Sequence, residues 1–179
     1  MTTHDPLTST WTVPLPISVR KLVYSDLAKL EWYGKFKHLR NLFWRSYIGQ
    51  QEGQRLLLVA DCKGFPIGRL FILLESKQGS LADGRHTAYL YSFQVMDVFQ
   101  GHGIGTQLLH HAEAILRDKH YQRATIGVAK HNEGALRLYQ RHGYAIFGEN
   151  NAPWSYQDHQ NVWRTVDEPS WLMSKSLQP

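Results

Sequence analysis

The chain carries one cysteine, Cys62, among 179 residues. A lone thiol closes no internal disulfide, and its place just before Lys63-Gly64 is a turn position, so a structural or incidental role is expected rather than a catalytic one. Long apolar runs are missing as well. Leu56 to Ala60 and Leu70 to Leu74 are far too short to cross a bilayer, and the opening Met1-Thr-Thr-His-Asp lacks the apolar stretch of a signal peptide. The expectation is a soluble, cytoplasmic protein with no membrane partner. Blocks of like charge are absent too. The net charge is +5, yet Arg20, Lys21, Lys35, Lys37, Arg40, Arg123, Lys130, Arg137 and Arg141 are scattered, with no basic run of five or six. That scatter makes nucleic acid an unlikely partner, while a basic surface equally suits a polyanionic cofactor.

Metal and nucleotide signatures are lacking in the same way. There are ten histidines but no HExxH and no pair spaced four apart, and the neighbours His110 and His111 point to different sides of a helix, so no metal is expected. No GxxxxGK[ST] or GxGxxG occurs, which disfavours an NTPase and a dinucleotide fold.

What is present fits one packed unit. A hydrophobic share of 42% with six Trp is enough for a core without staples. Residues 1–16, with three Pro, are expected to form a loose N-terminal arm, and 17–179 a single domain. Ile17 to Tyr24 alternates as a strand, and Ser25-Asp26 is placed to cap a helix, with two short helices expected through Tyr47. Arg55 to Asp61 and Ile67 to Glu75 flank the turn sequence Asp61-Cys62-Lys63-Gly64, which predicts an antiparallel hairpin. Ala88 to Val95 is a further strand. From Ile104 the period changes: Ile104, Leu108, Leu109, Ala112, Ile115 and Leu116 share one helix face. Ala124 to Ala129 returns to a strand, so strand, helix, strand implies a parallel pair. Asn132 caps a short helix through Arg141, and Tyr144 to Gly148 and Trp171 to Ser174 supply two last strands. The fold class is α/β, one domain with a mixed sheet.

The stretch Val95-Met-Asp-Val-Phe-Gln100-Gly-His-Gly103-Ile-Gly105-Thr106 joins a strand to a helix. Glycines at 101, 103 and 105 let amides converge at a helix N-terminus, an arrangement suited either to a pyrophosphate or simply to a tight connection. Gln100-Gly-His-Gly103-Ile-Gly105 resembles the Q/R-x-x-G-x-G/A signature of the GNAT superfamily of N-acyltransferases. Asn132 through Ala135 and Tyr139 to Gly143-Tyr144 resembles that family's N-x-x-A-x-x-x-Y-x-x-x-G-F/Y block. The two motifs stand in the family's order and spacing, and the likeness is densest over residues 88–148.

The resemblance implies a mostly antiparallel mixed sheet with a splayed parallel pair of strands four and five, and helices on both faces. It implies acetyl-CoA as co-substrate and no metal. The backbone of Phe93, Gln94 and Val95 would hold the pantetheine like an extra strand. Gln100, Gly101, His102, Gly103, Ile104, Gly105 and Thr106 would form the pyrophosphate loop, and Asn132 would reach the pantetheine arm. Tyr139 would protonate the departing thiolate as general acid. The implied activity is acetyl transfer to a primary amine on a small molecule, peptide or protein, with a non-catalytic acyl-CoA sensor as the alternative. A homodimer stays open. The family's base positions hold Gly127, Tyr89 and Tyr91, none a good proton acceptor, which leaves an ordered water or Glu149, Asp158 or His159 of the last loop. Trp32, Tyr33, Phe36, Phe43, Trp44, Tyr47, Trp154, Tyr156 and Trp163 could line a cleft for a cationic amine with nearby acids.

Overall fold

Alternation of apolar side chains builds the sheet. In the hairpin of β2 (Arg55–Cys62) and β3 (Phe65–Leu73), Leu57 and Val59 face one side while Leu58 and Ala60 face the other, all buried. The turn Lys63-Gly64 has φ of 51° and 83°, the two left-handed residues a tight hairpin turn requires. β1 (Ile17–Lys21) pairs with β2, and β4 (Thr87–Val95) with β3, all antiparallel. The structure is a computed structural model that describes residues 12–76 and 81–178. Of the arm expected over 1–16, residues 12–16 carry no helix or strand and the rest lies outside the described residues.

Helix α2 (Ile104–Asp118) crosses from β4 to β5 (Arg123–Ala129), and these two strands are parallel, as the change of period implied. After α3 (Glu133–Arg141) come β6 (Ala145–Asn150) and a separate hairpin, β7 (Trp154–Gln157) with β8 (Trp163–Val166). The last strand, β9 (Ser170–Ser176), inserts between β5 and β6, giving a seven-stranded order β1-β2-β3-β4-β5-β9-β6. Helices cover both faces. Leu108, Leu109, Ala112 and Leu116 of α2 pack with Leu58, Leu70, Ile72 and Leu90 on one face. Phe43 of α1 (Arg40–Gln51) packs with Leu57, Val59 and Phe71 on the other. Full burial of such side chains contributes about 1.5–3 kcal/mol each, so the two clusters hold the helices to the sheet.

The segment between β1 and α1 departs from expectation. Residues 24–26, 29–31 and 37–39 form single 3-10 turns, and only α1 is a full helix. Trp32, Tyr33 and Gly34 have φ of 43°, 58° and 95°, a left-handed run through which no right-handed helix continues. Asp26 starts no helix. It is buried against Arg20, at 2.6 and 3.0 Å, and accepts the Val23 amide at 3.0 Å.

Candidate active site at the opening between strands β4 and β5

β4 and β5 separate part-way along. Their ladder covers Thr87 to Leu90 against Arg123 to Ile126, after which each strand continues without the other. A bulge explains the parting. Between Arg69 and Phe71 of β3 there is one residue, while between the opposing Gln94 and Tyr91 of β4 there are two, and Ser92 takes φ of 51° to absorb the extra one. Such an insertion bends and twists its strand, which here turns β4 away from β5. At the parting point, the Gly127 backbone faces the Tyr89 hydroxyl, and a Cβ on residue 127 would come within 3.0 Å of that oxygen. The phenol of Tyr89 therefore stands where a side chain at 127 would project.

A cleft of about 580 Å³ fills the opening. Phe93, Gln94 and Val95 line one wall, Gln100, Gly101, Gly103, Ile104, Gly105 and Thr106 the floor, and Asn132 with Tyr139 the other wall. His102 stands apart from these: its Nδ1 lies 2.8 Å from the Gln100 carbonyl, and its side belongs to a neighbouring groove between α2 and β1. Phe99, Gly134, Ala135, Leu138 and Arg141 line the cleft as well. Gly134, Leu138 and Arg141 were not expected at the cleft from the sequence, although their spacing of four and three along α3 puts them on one helix face.

The floor is shaped by its glycines. Gly101 and Gly103 have φ of 77° and 79°, and a Cβ on either would meet nothing within 4 Å, so both backbones border open space. Gly103 is the N-cap of α2, and the first intrahelical bond runs from the Gln107 amide to its carbonyl at 3.0 Å. The amides of Ile104, Gly105 and Thr106 precede that bond and lie at the positive end of a 15-residue helix. These donors suit a pyrophosphate, and the open space leaves room for one.

The β4 wall is more selective than an unbroken extra strand. The Met96 amide bonds to the Ile67 carbonyl at 2.9 Å, so by strand alternation Gln94 also turns its backbone to β3, whereas Val95 turns its amide and carbonyl to the cleft. The Gln100 side chain covers the Val95 carbonyl at 3.0 Å, which leaves the Val95 amide as the donor on offer. Asn132 is the N-cap of α3, its Oδ1 accepting the Ala135 amide at 3.0 Å, so its side-chain NH₂ is what remains to face a ligand. Tyr139 is 5% exposed, with ring centroids 6.1 Å from both Phe93 and Tyr144. Burial, with a smaller contribution from neighbouring Tyr89, pushes its phenol well above the ordinary tyrosine value, so it stays protonated.

Two of the three loop candidates for a base are already engaged. Glu149 is exposed and ion-paired with Lys130 at 2.5 Å. Asp158 accepts the amides of Gln160 and Val162 and Arg164 Nε at 2.8 to 3.1 Å, the bonds of a closed turn. His159 has a buried Nδ1 without a partner. The early aromatics separate. Trp32, Phe36 and Phe43 surround the guanidinium of Arg69, Tyr33 stacks on Phe65, and Trp44 and Tyr47 cluster with Tyr24. Trp154 packs at a tilt against Tyr156 on the β7–β8 hairpin, and Trp163 is exposed. The acids beside them are neutralised, Glu31 by Arg40 and Asp158 by Arg164. Among the described residues no group of three or more His, Cys, Asp or Glu converges, and no helix is long and apolar enough to cross a membrane.

Comparison with known proteins agrees with this fold. A family model described as the acetyltransferase (GNAT) family matches residues 23–144. An uncharacterized N-acetyltransferase of Bacillus subtilis (strain 168), YdgE, is 36% identical over 59 residues, a match spanning 33% of this chain and 38% of that protein. An N-acetyltransferase from Staphylococcus aureus Mu50 superposes with a TM-score of 0.71 at 16% identity, covering 91% of this chain and 99% of that one. A GNAT family acetyltransferase from Elizabethkingia anophelis with acetyl-CoA bound superposes with a TM-score of 0.58 at 20% identity, over 89% and 97% of the two chains.

Proposed function

The chain belongs to the acetyltransferase (GNAT) family, and from that premise we propose that it transfers the acetyl group of acetyl-CoA to a primary amine by direct attack. One observation carries the reading: apart from His102, every residue expected to hold the cofactor, together with Tyr139, borders a single cleft at the parted strands. Acetyl-CoA supplies an activated thioester carbonyl. The amides of Ile104, Gly105 and Thr106 hold its pyrophosphate, and the NH₂ of Asn132 orients the pantetheine. The free Val95 amide is placed to bond the acyl oxygen as charge builds there. Tyr139, neutral throughout the physiological range, donates its proton to the departing sulfur.

The amine's own proton leaves by another path. Burial raises the Tyr89 phenol above its ordinary value although the Gly127 amide works against it, so Tyr89 is no base at neutral pH. Water in the open cleft takes the proton. The absence of an acid at Gly127, Tyr89 and Tyr91 favours a second reading, an acyl-CoA-binding module without turnover. The two are separated by mixing the protein with acetyl-CoA and pools of amines and following thiol release. Release that depends on a particular amine supports the enzyme; acetyl-CoA binding with no release from any pool, including amino acids, supports the module.

A further inference from the structure

Four charged residues are buried among the described residues: Asp26, Arg69, Glu113 and Asp158. The three acids each have basic partners, Arg20 for Asp26, Lys175 and Arg117 for Glu113, and Arg164 for Asp158. Arg69 has no carboxylate. Its Nε donates to the Ser92 hydroxyl at 3.1 Å, and its Nη1 is buried without any partner. The rings of Trp32, Phe36 and Phe43 lie 4.8, 4.3 and 5.0 Å from the guanidinium carbon. Aromatic faces offset part of the cost of burying a cation, but they accept no N–H bond in the guanidinium plane, so Nη1 stays unsatisfied.

The position of this cation matters. Arg69 sits on β3 opposite Gln94, and it grips Ser92, the left-handed bulge residue next to Phe93 of the cofactor cleft. It therefore lies on the α1 face of the sheet, at the bulge beyond which β4 runs apart from β5. A second guanidinium occupies the same face: Arg55 bonds the Tyr91 hydroxyl at 2.7 Å and the Ser46 hydroxyl at 3.2 Å, both neutral, and pairs with no described acid. A wall with two cations that lack a carboxylate partner repels a polycation.

The cover over Arg69 includes a strained turn. Trp32 and Tyr33 hold left-handed φ of 43° and 58°, a conformation costly for aromatic residues. That turn is tied down by the Trp32 indole bonding the Pro66 carbonyl at 2.8 Å and by the exposed pair Lys35–Asp97 at 2.6 Å. Asp97 belongs to the segment leading into the glycine loop, so the cover and the cofactor loop are joined.

We propose that Arg69 is the seat of a carboxylate carried by the acyl acceptor, which makes the acceptor an amino acid or a related small amine bearing a carboxylate. The inference rests on the acetyltransferase reading for its amine. A planar guanidinium fork with free donors matches a carboxylate in two parallel bonds, and the amine would then point from Ser92 toward the cleft. Polyamines and other polycations are excluded by the same charge.

The test compares amino acids with their decarboxylated twins, such as phenylalanine with 2-phenylethylamine and lysine with cadaverine, across the standard set. Binding to the protein saturated with coenzyme A is measured by calorimetry, and thiol release from acetyl-CoA is followed in parallel. At least one acid is expected to bind about 100-fold more tightly than its twin, because a site built for a polar group rejects the analogue lacking it. Arg69→Met should erase that gap in protein that still binds coenzyme A. Should that variant fail to fold, Arg69→Lys, which keeps the charge and loses the fork, should shrink the gap about tenfold. Twins that bind as well as or better than every acid overturn the proposal. So does an Arg69 variant that loses thermal stability with its gap intact, which would make the residue a clamp for the 32–36 turn. An acid that binds with the gap but is never acetylated leaves the carboxylate seat standing and sinks the acetyltransferase reading instead.

Discussion

Replacing Tyr139 by Phe removes one oxygen from a side chain that is 5% exposed and leaves its ring against Phe93 and Tyr144. The fold should scarcely notice. The rate should. General acids contribute about 10²–10⁴-fold, and they work best when their pKa lies near the working pH. Burial raises the Tyr139 phenol above its ordinary value, away from that optimum, so the loss belongs at the lower end, about 10²-fold. At 1.36 kcal/mol per decade this is about 2.7 kcal/mol of transition-state stabilisation. The assay is single-turnover acetylation of a verified acceptor, with acetyl-CoA affinity and melting temperature measured on the same preparation. The raised phenol also dictates the shape of the pH profile: it stays protonated well past pH 10, so Tyr139 contributes no alkaline limb below that, and Tyr139→Phe lowers the profile uniformly without bending it. Full turnover in the variant, with chemistry shown to limit the rate, would refute the general-acid role and leave protonation of the thiolate to water. A fall in acetyl-CoA affinity with unchanged turnover would make Tyr139 a wall of the cleft.

Acetyl-CoA at a hundredfold its Kd should stabilise the protein by about 2.7 kcal/mol, seen as a thermal shift. Gly105→Glu should abolish that shift with little effect on the unliganded melt, since a Cβ there makes only ordinary contacts of 3.5 to 3.9 Å with Phe93 and Leu138; a persisting shift places the cofactor elsewhere. Gly127→Ala should destabilise the protein through the 3.0 Å approach to the Tyr89 hydroxyl, and Tyr89→Phe in the same chain should recover most of the loss, a coupling measurable by a double-mutant cycle. Glu113→Gln should cost about 3 kcal/mol in urea unfolding, because it strips the ion-pair partner from Lys175, only 20% exposed, at 2.6 Å. For Asp26, burial alone would raise the carboxyl, but the bonds from Arg20 and the Val23 amide outweigh it and hold the group below its usual range. A depressed folded-state value means stability that is present above about pH 4 and lost as pH falls through the lower folded value. Asp26→Asn should therefore weaken the fold at pH 7, with a loss that shrinks as pH falls below about 4; a loss that does not change with pH would show that its charge is irrelevant.

The glycine loop, the Asn132 cap and Tyr139 were readable because each depends on near neighbours in the chain. A glycine that must turn left-handed at 103, an Asn whose oxygen takes an amide three residues on, and an aromatic on one face of a nine-residue helix are local facts with local signatures. The hairpin over 55–73 and the helix from Ile104 were legible for the same reason, since their apolar periods are complete within each element. The 24–39 segment misled. Its apolar spacing suited a helix, but the buried Arg20–Asp26 pair and the left-handed turn at Trp32 come from packing against the sheet, which overrides weak helix preference. The hairpin at 154–166 went unseen, because two four-residue strands with exposed aromatics show no strong alternation.

By itself, the sequence determined the class of the protein, the order of its main elements and most of the residues that border one cleft, because these follow from short-range backbone chemistry and period. Only the tertiary structure decided the insertion of β9 between β5 and β6, the bulge at Ser92 that parts the strands, the covering of the Val95 carbonyl by Gln100, and the isolation of Arg69 among three rings. Each of these is a relation between residues distant in the chain or between facing strands. A bulge has no residue of its own until its partner strand is counted, and a charge is unpaired only when every side chain around it is known.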